Sequence, residues 1–347
     1  MANETPSCRR AAPILAAVLF LFAGSFSFAL DPDPVAIRIL ASNFGMGSLR
    51  GVVLPESSQI STFVQDRTAA VRLGKALFWD MQVGSDGQAC GSCHFHSGAD
   101  DRAKNQLQPG LNGGDTVSGN NPFNGFLDYP GFGPNYTLTA GDFPFHLLSD
   151  TANTNSSVLR DTNDVVSSQG VFKANFLGID PLAMHDVGAP VPDPVFHVNG
   201  INTRRVEPRN TPTMINAAYN IASFWEGRAN FFFNGVNPFG PLDSTSGIHE
   251  NVGGVLTQTT LRIPLSSLAS QAVGPPLSEN EMSFVGRKFP DVGRKLIPRQ
   301  PLSYQLVHPQ DSILGPLSRA TLNPDGTAGG LPGLSATYDN MIRTAFN

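Results

Sequence analysis

Cysteine is scarce, with three among 347 residues: Cys8, Cys90 and Cys93. So few exclude a scaffold built on disulfides, and no second pair is available to complete a structural zinc site. Charged residues are also sparse, 15% of the chain, and the net charge is −5. That balance argues against a nucleic-acid partner, which calls for a basic surface. No internal repeat and no heptad run is present, which excludes solenoids and coiled coils. No apolar stretch reaches the roughly 20 residues that a membrane-spanning helix needs.

What is abundant is glycine, 35 residues, and proline, 28. Both punctuate regular structure, so long irregular segments are expected. At the N-terminus, Arg9 and Arg10 precede a short apolar run from Ala11 to Phe22, and small residues follow at Ser27 and Ala29. A basic region, a short apolar core and a small-residue cleavage site predict a secretory signal peptide over 1–29. Cys8 lies ahead of the apolar run, so it is no lipid-attachment cysteine and leaves with the signal. The exported chain then keeps Cys90 and Cys93, needs no stable membrane span, and is expected in the periplasm.

Residues 30–60 read as an extended leader. Helical spacing of Ala70, Leu73 and Leu77 predicts a helix over 61–79. Further helices are expected at 165–176, 214–225, 264–273, 279–288 and 336–346. The stretches at about 98–206 and 230–265 are rich in Gly, Asn and Pro turns and read as long loop insertions.

The residues that carry chemistry are Cys90-Gly91-Ser92-Cys93-His94. Two cysteines three apart can add across the two vinyl groups of a haem, and the next residue, His94, can ligate its iron. A redox dithiol would call for a βαβ setting, and a zinc site for a second ligand pair; neither is present. One covalent haem c is therefore expected, with His94 as the proximal ligand. A Met or His in the sixth position would make an electron-transfer cytochrome, whereas an exchangeable position would admit peroxide. His96, His146, Met184, His185, His197, His249 and Met282 are the candidates by residue type. His96 is too near His94 to reach the opposite face easily, and spacing does not choose among the others.

Three blocks then carry a resemblance. Leu73-Gly74-Lys75-Ala76-Leu77-Phe78-Trp79-Asp80 leads through Gly84-Ser85-Asp86-Gly87-Gln88 into the C-x-x-C-H. Arg209-Asn210-Thr211-Pro212-Thr213 runs on through Asn216-Ala217-Ala218 to Phe224-Trp225-Glu226-Gly227-Arg228-Ala229. Leu268-Ala269-Ser270-Gln271-Ala272-Val273-Gly274-Pro275 continues to Glu281-Met282. In this order they resemble the N-terminal haem half of bacterial di-haem cytochrome c peroxidases and their relative MauG. The resemblance implies a mainly α, cytochrome c-like haem domain over 61–347 with long irregular insertions.

It also implies roles. Glu281 would carry a proton between the two oxygens of hydrogen peroxide, and Gln271 would orient peroxide or water. Trp225 would relay electrons, and Asn210 would belong to a calcium site. Taken on their own, Glu281 is a helix-start acid, Trp225 a packed aromatic anchor and Asn210 a turn residue. The chain departs from the family in carrying a single C-x-x-C-H: the second haem domain is missing from this sequence, and the chain is expected to be a single-haem derivative or one half of a split or truncated protein. Glu226 stands where the family has Asp.

The leading expectation is a periplasmic enzyme that reduces hydrogen peroxide with electrons from a small cytochrome c or cupredoxin. It would work alone, with a separate haem domain, or as a homodimer. Two alternatives stand beside it: MauG-like oxidation of a protein partner, and a non-enzymatic mono-haem electron-transfer cytochrome or fragment.

Overall fold

The computed structural model describes residues 34–47, 51–110 and 132–346. The signal peptide expected over 1–29 lies outside the described residues. The chain packs as two units, Met1–Val53 and Leu54–Asn347. In the first, a ten-residue helix, α1 (Pro34–Asn43), occupies part of the stretch read as an extended leader. Pro34 opens it, a position where its missing N–H costs no helical bond. Among the described residues no helix is long and apolar enough to cross a membrane.

The second unit begins with α2 (Ile60–Phe63) and α3 (Arg67–Trp79), and a 3-10 turn at Cys90–Ser92 carries the haem motif. Eight short strands follow: β1 (Leu107–Gln108), β2 (Leu147–Leu148), β3 (Val158–Arg160), β4 (Val165–Val166), β5 (Ala174–Ile179), β6 (Asp186–Pro190), β7 (His197–Val198) and β8 (Ile201–Asn202). Then come β9 (Ile248–Val252), β10 (Val255–Thr259), α4 (Ser267–Ala272), α5 (Phe289–Leu296), β11 (Ser318–Leu322), β12 (Ala328–Leu334) and α6 (Tyr338–Ala345). Every ladder is antiparallel and two-stranded: β1–β4, β2–β3, β5–β6, β7–β8, β9–β10 and β11–β12.

The expectation of a mainly α fold is therefore wrong: the described chain is a low-content mixture of short helices and small ladders. Glycine and proline break the helices, and hairpins use the space between them. At 165–176 the expected helix is replaced by β4 and the start of β5. At 214–225 only a 3-10 turn forms, Ala217–Tyr219, because Asn216 (φ 65°) and Phe224 (φ 64°) turn the backbone left-handed. Such residues do not propagate a right-handed helix. At 279–288 the chain forms a turn in which the amides of Glu281, Met282 and Ser283 all converge on Ser278 O. The helix starts only at Phe289, with Pro290 in its first turn.

The helices at 264–273 and 336–346 do form, shortened at their ends, whereas the one expected over 61–79 is split into α2 and α3 by extended backbone at Val64 and Asp66. Asp66 caps α3 by accepting from Ala69 N at 3.0 Å. Its apolar face, Ala69, Leu73 and Ala76, packs with Tyr338, Met341 and Ala345 of α6, and with Met282, Val292, Leu296 and Leu334. The segment expected as a loop insertion at 98–206 builds a second cluster of its own: Leu107, Phe132, Leu138, Phe196 and Val206.

Polar ties hold the main core in register. Asp80 Oδ2 accepts from Tyr338 Oη at 2.8 Å, Leu302 N at 2.7 Å and Gln82 Nε2 at 3.1 Å. Burial and the neighbouring Asp80 push the Tyr338 phenol well above its usual value, so it stays a donor. A buried charged acceptor that loses one donor is left under-satisfied, at about 1–3 kcal/mol. Tyr338→Phe is accordingly expected to lower the stability of the haem-loaded protein by about that amount in chemical denaturation. A change within error of zero would contradict this account of Asp80.

Candidate functional site

The turn that carries the haem motif is fixed by its neighbours. Gly91 lies so close to Trp79 that an added Cβ would sit 2.3 Å from the indole Cε3. Only glycine fits there. Ala89 N donates to Ser92 Oγ at 2.9 Å, and His94 N closes the turn on Cys90 O at 3.0 Å. Arg102 donates to Ser92 O at 2.9 Å while paired with Asp100, which also accepts from Ser168 Oγ at 2.6 Å.

His94 Nδ1 lies 2.9 Å from Pro212 O. A carbonyl oxygen can only accept, so Nδ1 carries the proton and Nε2 keeps its lone pair for a metal. Cys90 and Cys93 are half-buried and not bridged to each other. Burial pushes the Cys90 thiol up to about 11 and raises Cys93 further, with Glu207 adding to the effect. A redox dithiol needs the opposite, a lowered thiol value. Cys90 also packs against an apolar cluster with Leu77, Trp79 and Leu277. Two neutral thiols, an imidazole with a free Nε2 and an apolar flank suit a covalently held haem.

Glu207, which the sequence did not single out, lies 3.2 Å from Cys93 Sγ through Oε1. Burial, and then the charge of Glu281, push its carboxyl up to about 8. Glu281 is raised too, by burial, against a hydrogen bond from Ser278 and the charges of Arg228 and Arg209. Glu207 thus stands beside Cys93 of the C-x-x-C-H, within the electrostatic reach of Glu281. Glu207 N bonds to Ser168 O at 3.1 Å, and Gln169 pairs with Val206 as an antiparallel bridge. One sequence feature could have pointed to Glu207: it is a lone acid among Arg204, Arg205 and Arg209.

The other predicted residues are placed as follows. Gln271 is half-buried on α4, which is tied to the preceding loop by Ser267 Oγ to Asn220 O at 2.5 Å and Ser270 Oγ to Asn230 O at 2.9 Å. Trp225 is 83% exposed, so it is no packed anchor. Beside it, Phe224 lies under the guanidinium groups of both Arg209 and Arg228. Arg209 pairs with Glu226 at 2.8 Å. Asn210 uses its amide to donate to Val166 O at 3.0 Å. Among the described residues no group of three or more His, Cys, Asp or Glu is arranged to hold a metal ion.

The sixth-ligand candidates are scattered. Met282 is buried in the main core, and Met184 and His185 approach Gly87. His146 contacts Asp161, and His96 accepts from Gly98 N. His197 accepts from Gly200 N at 3.4 Å, and His249 is on the exposed β9.

The C-x-x-C-H turn, with His94 oriented by Pro212 O and an apolar flank beside Cys90, suits a haem c. Residues 184–301 match the family model of di-haem cytochrome c peroxidase, in agreement with the resemblance of the sequence blocks, and that family binds haem c. The match contains Glu207, Trp225, Gln271 and Glu281, while the C-x-x-C-H lies ahead of it. No curated protein and no solved structure matches the chain.

Two expectations come from this geometry. Gly91→Ala drives a methyl group into Trp79 and is expected to lose most covalent haem, read as the haem-to-protein absorbance ratio. Trp79→Leu in the same chain should restore it, and a Gly91→Ala protein with full haem content would refute the contact. The second concerns pH. Glu207 has an ordinary value of 4.5 and a folded value of about 8. A raised acid holds its proton in the folded state where the unfolded chain has lost it. Its stabilising contribution is therefore complete below about pH 4.5 and is lost as the pH rises through 8. Part of the fall in Tm over that interval should disappear in Glu207→Gln; an identical slope in both proteins would show that Glu207 does not titrate there.

Proposed function

We propose that this chain is an exported c-type haem oxidoreductase that reduces hydrogen peroxide with electrons from a small redox protein, a cytochrome c or a cupredoxin. One observation carries this reading: the segment 169–170 touches both sides of the site, with Gln169 O 3.6 Å from Cys93 Sγ and Gly170 packed against the Glu281 backbone, and burial raises the Glu281 carboxyl towards the protonated form. Haem held at Cys90, Cys93 and His94 supplies the iron redox chemistry. The balance is one peroxide, two electrons and two protons giving two waters.

The chain's own residues handle the protons and the approach. Glu281 holds a proton in a site shielded from bulk water and can give it to the departing peroxide oxygen, as general acids with raised values do. Arg209 and Arg228 lend the positive field that lets Glu281 release that proton and take another. Gln271 offers an amide that can both donate to and accept from peroxide or water. His94, oriented by Pro212 O, would hold the haem iron through Nε2. Met282 is committed to the hydrophobic core with Leu73 and Tyr338, which favours a sixth position open to exchange.

The exposed indole of Trp225 favours a second reading of the same site, oxidation of a protein partner across the surface. A protein donor and a protein substrate would both meet the chain there, and the two differ in the direction of electron flow. A separate haem domain or a second copy of the chain would be accommodated on that face.

Glu281→Gln separates acid catalysis from haem binding. It should leave haem content unchanged and lower kcat/KM for peroxide by about 10²–10⁴, the usual worth of a general acid. Stopped-flow oxidation of a reduced small cytochrome c by peroxide measures it. A wild-type protein inert to peroxide, or a variant as fast as wild type, overturns the proposal.

A further inference from the structure

The segment Ser168–Val171 lies between the haem motif and Glu281 and touches both. Gln169 O is 3.6 Å from Cys93 Sγ. One residue on, Gly170 meets the backbone of Asn280 and Glu281 so closely that an added Cβ would sit 1.8 Å from Asn280 O and 2.8 Å from Glu281 Cα. These are backbone atoms, so no side-chain rotation relieves the clash. The segment is tied back to 204–205 by three backbone and side-chain bonds at 170 and 171. Gly170 N donates to Arg205 O at 2.8 Å, Arg204 Nη1 donates to Gly170 O at 2.7 Å, and Arg205 N bonds to Val171 O at 3.1 Å. Val171 and Val206 are completely buried on the two strands of this ladder.

The Glu281 turn is held from its other sides too. Arg205 Nη1 donates to Glu279 O at 3.1 Å while its Nε pairs with buried Asp193 at 2.8 Å. Ser85, in the turn that leads into the haem motif, donates through N to Met282 O at 2.8 Å and accepts from Phe284 N at 2.9 Å.

We propose that Gly170 is a positioning residue for Glu281: the bare backbone at 170 sets how far the Glu281 carboxyl stands from the haem carried on Cys93, with Arg205 as its second support. This rests on the peroxidase reading for its consequence, but not for its geometry. Any side chain at 170 must part the two backbones by roughly 1 Å or more to reach ordinary contact distance. Displacement of a reacting group by that amount costs on the order of a hundredfold in rate. Sequence reasoning left Gly170 inside a loop insertion; its one cue is the small-residue run Ser167, Ser168 and Gly170, which permits close backbone approach.

The test is a double-mutant cycle in the haem-loaded full chain. It compares Gly170→Ala, Glu281→Gln and the pair, and reads peroxide kcat/KM and the rate of cyanide association with the ferric protein. Cyanide binding reports the distal acid without turnover, since the incoming acid must lose a proton. Gly170→Ala should keep its haem and lose about a hundredfold in both rates. Added to Glu281→Gln it should cost nothing more, because a misplaced group and a missing one are the same defect. Losses that multiply, or rates within twofold of wild type, overturn the proposal.

Should Gly170→Ala fail to fold, Arg205→Lys keeps a charge for Asp193 but gives up the bond to Glu279 O. It should show a smaller loss with the same lack of additivity, and faster amide hydrogen exchange over 278–283; neither change would refute the support. A wild-type protein that ignores peroxide sinks the peroxidase reading alone, and the cyanide cycle still decides Gly170.

Discussion

Two cations, Arg287 and Lys295, are buried on the single carboxylate of Asp186, each at 2.9 Å, with all three side chains fully shielded from solvent. Burying charge in this way is costly unless every remaining polar group finds a partner. Two surplus donors find theirs on the backbone just ahead of the C-x-x-C-H, Arg287 Nη1 on Val83 O at 2.8 Å and Lys295 Nζ on Gly84 O at 2.9 Å, while Arg287 Nη2 is left without a hydrogen-bond partner. Asp186 N meanwhile bonds to Ser85 O at 2.7 Å. Three elements distant in sequence, the turn at 83–85, the start of β6 and the region of α5, are thereby locked together. Burial pushes Lys295 down to about 8, against the pull of Asp186, which records how dry the junction is. The carboxylate removed from this cluster would leave two like charges facing each other in the interior.

From this junction the site follows by short backbone steps. Ser85 holds Met282 and Phe284 and so holds the turn that presents Glu281. Val285 goes on to pair with β5 through Ala174 O at 2.8 Å. The ladder of Ser168–Val171 with 205–207 closes the other side and carries Glu207 to Cys93. The C-x-x-C-H turn and the Glu281 turn thus share their supports. That sharing explains why a chain with so little regular structure can hold a carboxyl group at a set place. Precision here comes from backbone contact and buried charge more than from long helices.

Much of the chemistry was legible from residues alone, and much of the architecture was not. Cys90, Cys93 and His94 announce themselves because haem attachment demands one fixed spacing. The body of α3 was readable because Ala70, Leu73 and Leu77 recur at helical spacing, while its start at Arg67, set by the Asp66 cap, was not. The stretches at 214–225 and 279–288 misled because their apolar spacing suits a helix while their backbone is captured by distant partners. Asn220 O goes to Ser267, and Ser278 O takes three successive amides. Glu207 and Gly170 leave only faint local cues for a related reason. A half-buried acid and a close-contact glycine acquire meaning from what lies opposite, and their partners are 114 residues away at Cys93 and more than a hundred away at Asn280.

Under the proposed function, an iron held through His94 Nε2 would keep an exchangeable position within reach of Glu281. The most direct test is the EPR and optical spectrum of the ferric, haem-loaded full chain before and after adding cyanide. The expected result is a high-spin or mixed-spin iron that converts fully to a low-spin cyanide complex. A stable low-spin spectrum of the His/Met kind, unmoved by cyanide, would contradict it and leave an electron-transfer cytochrome in its place.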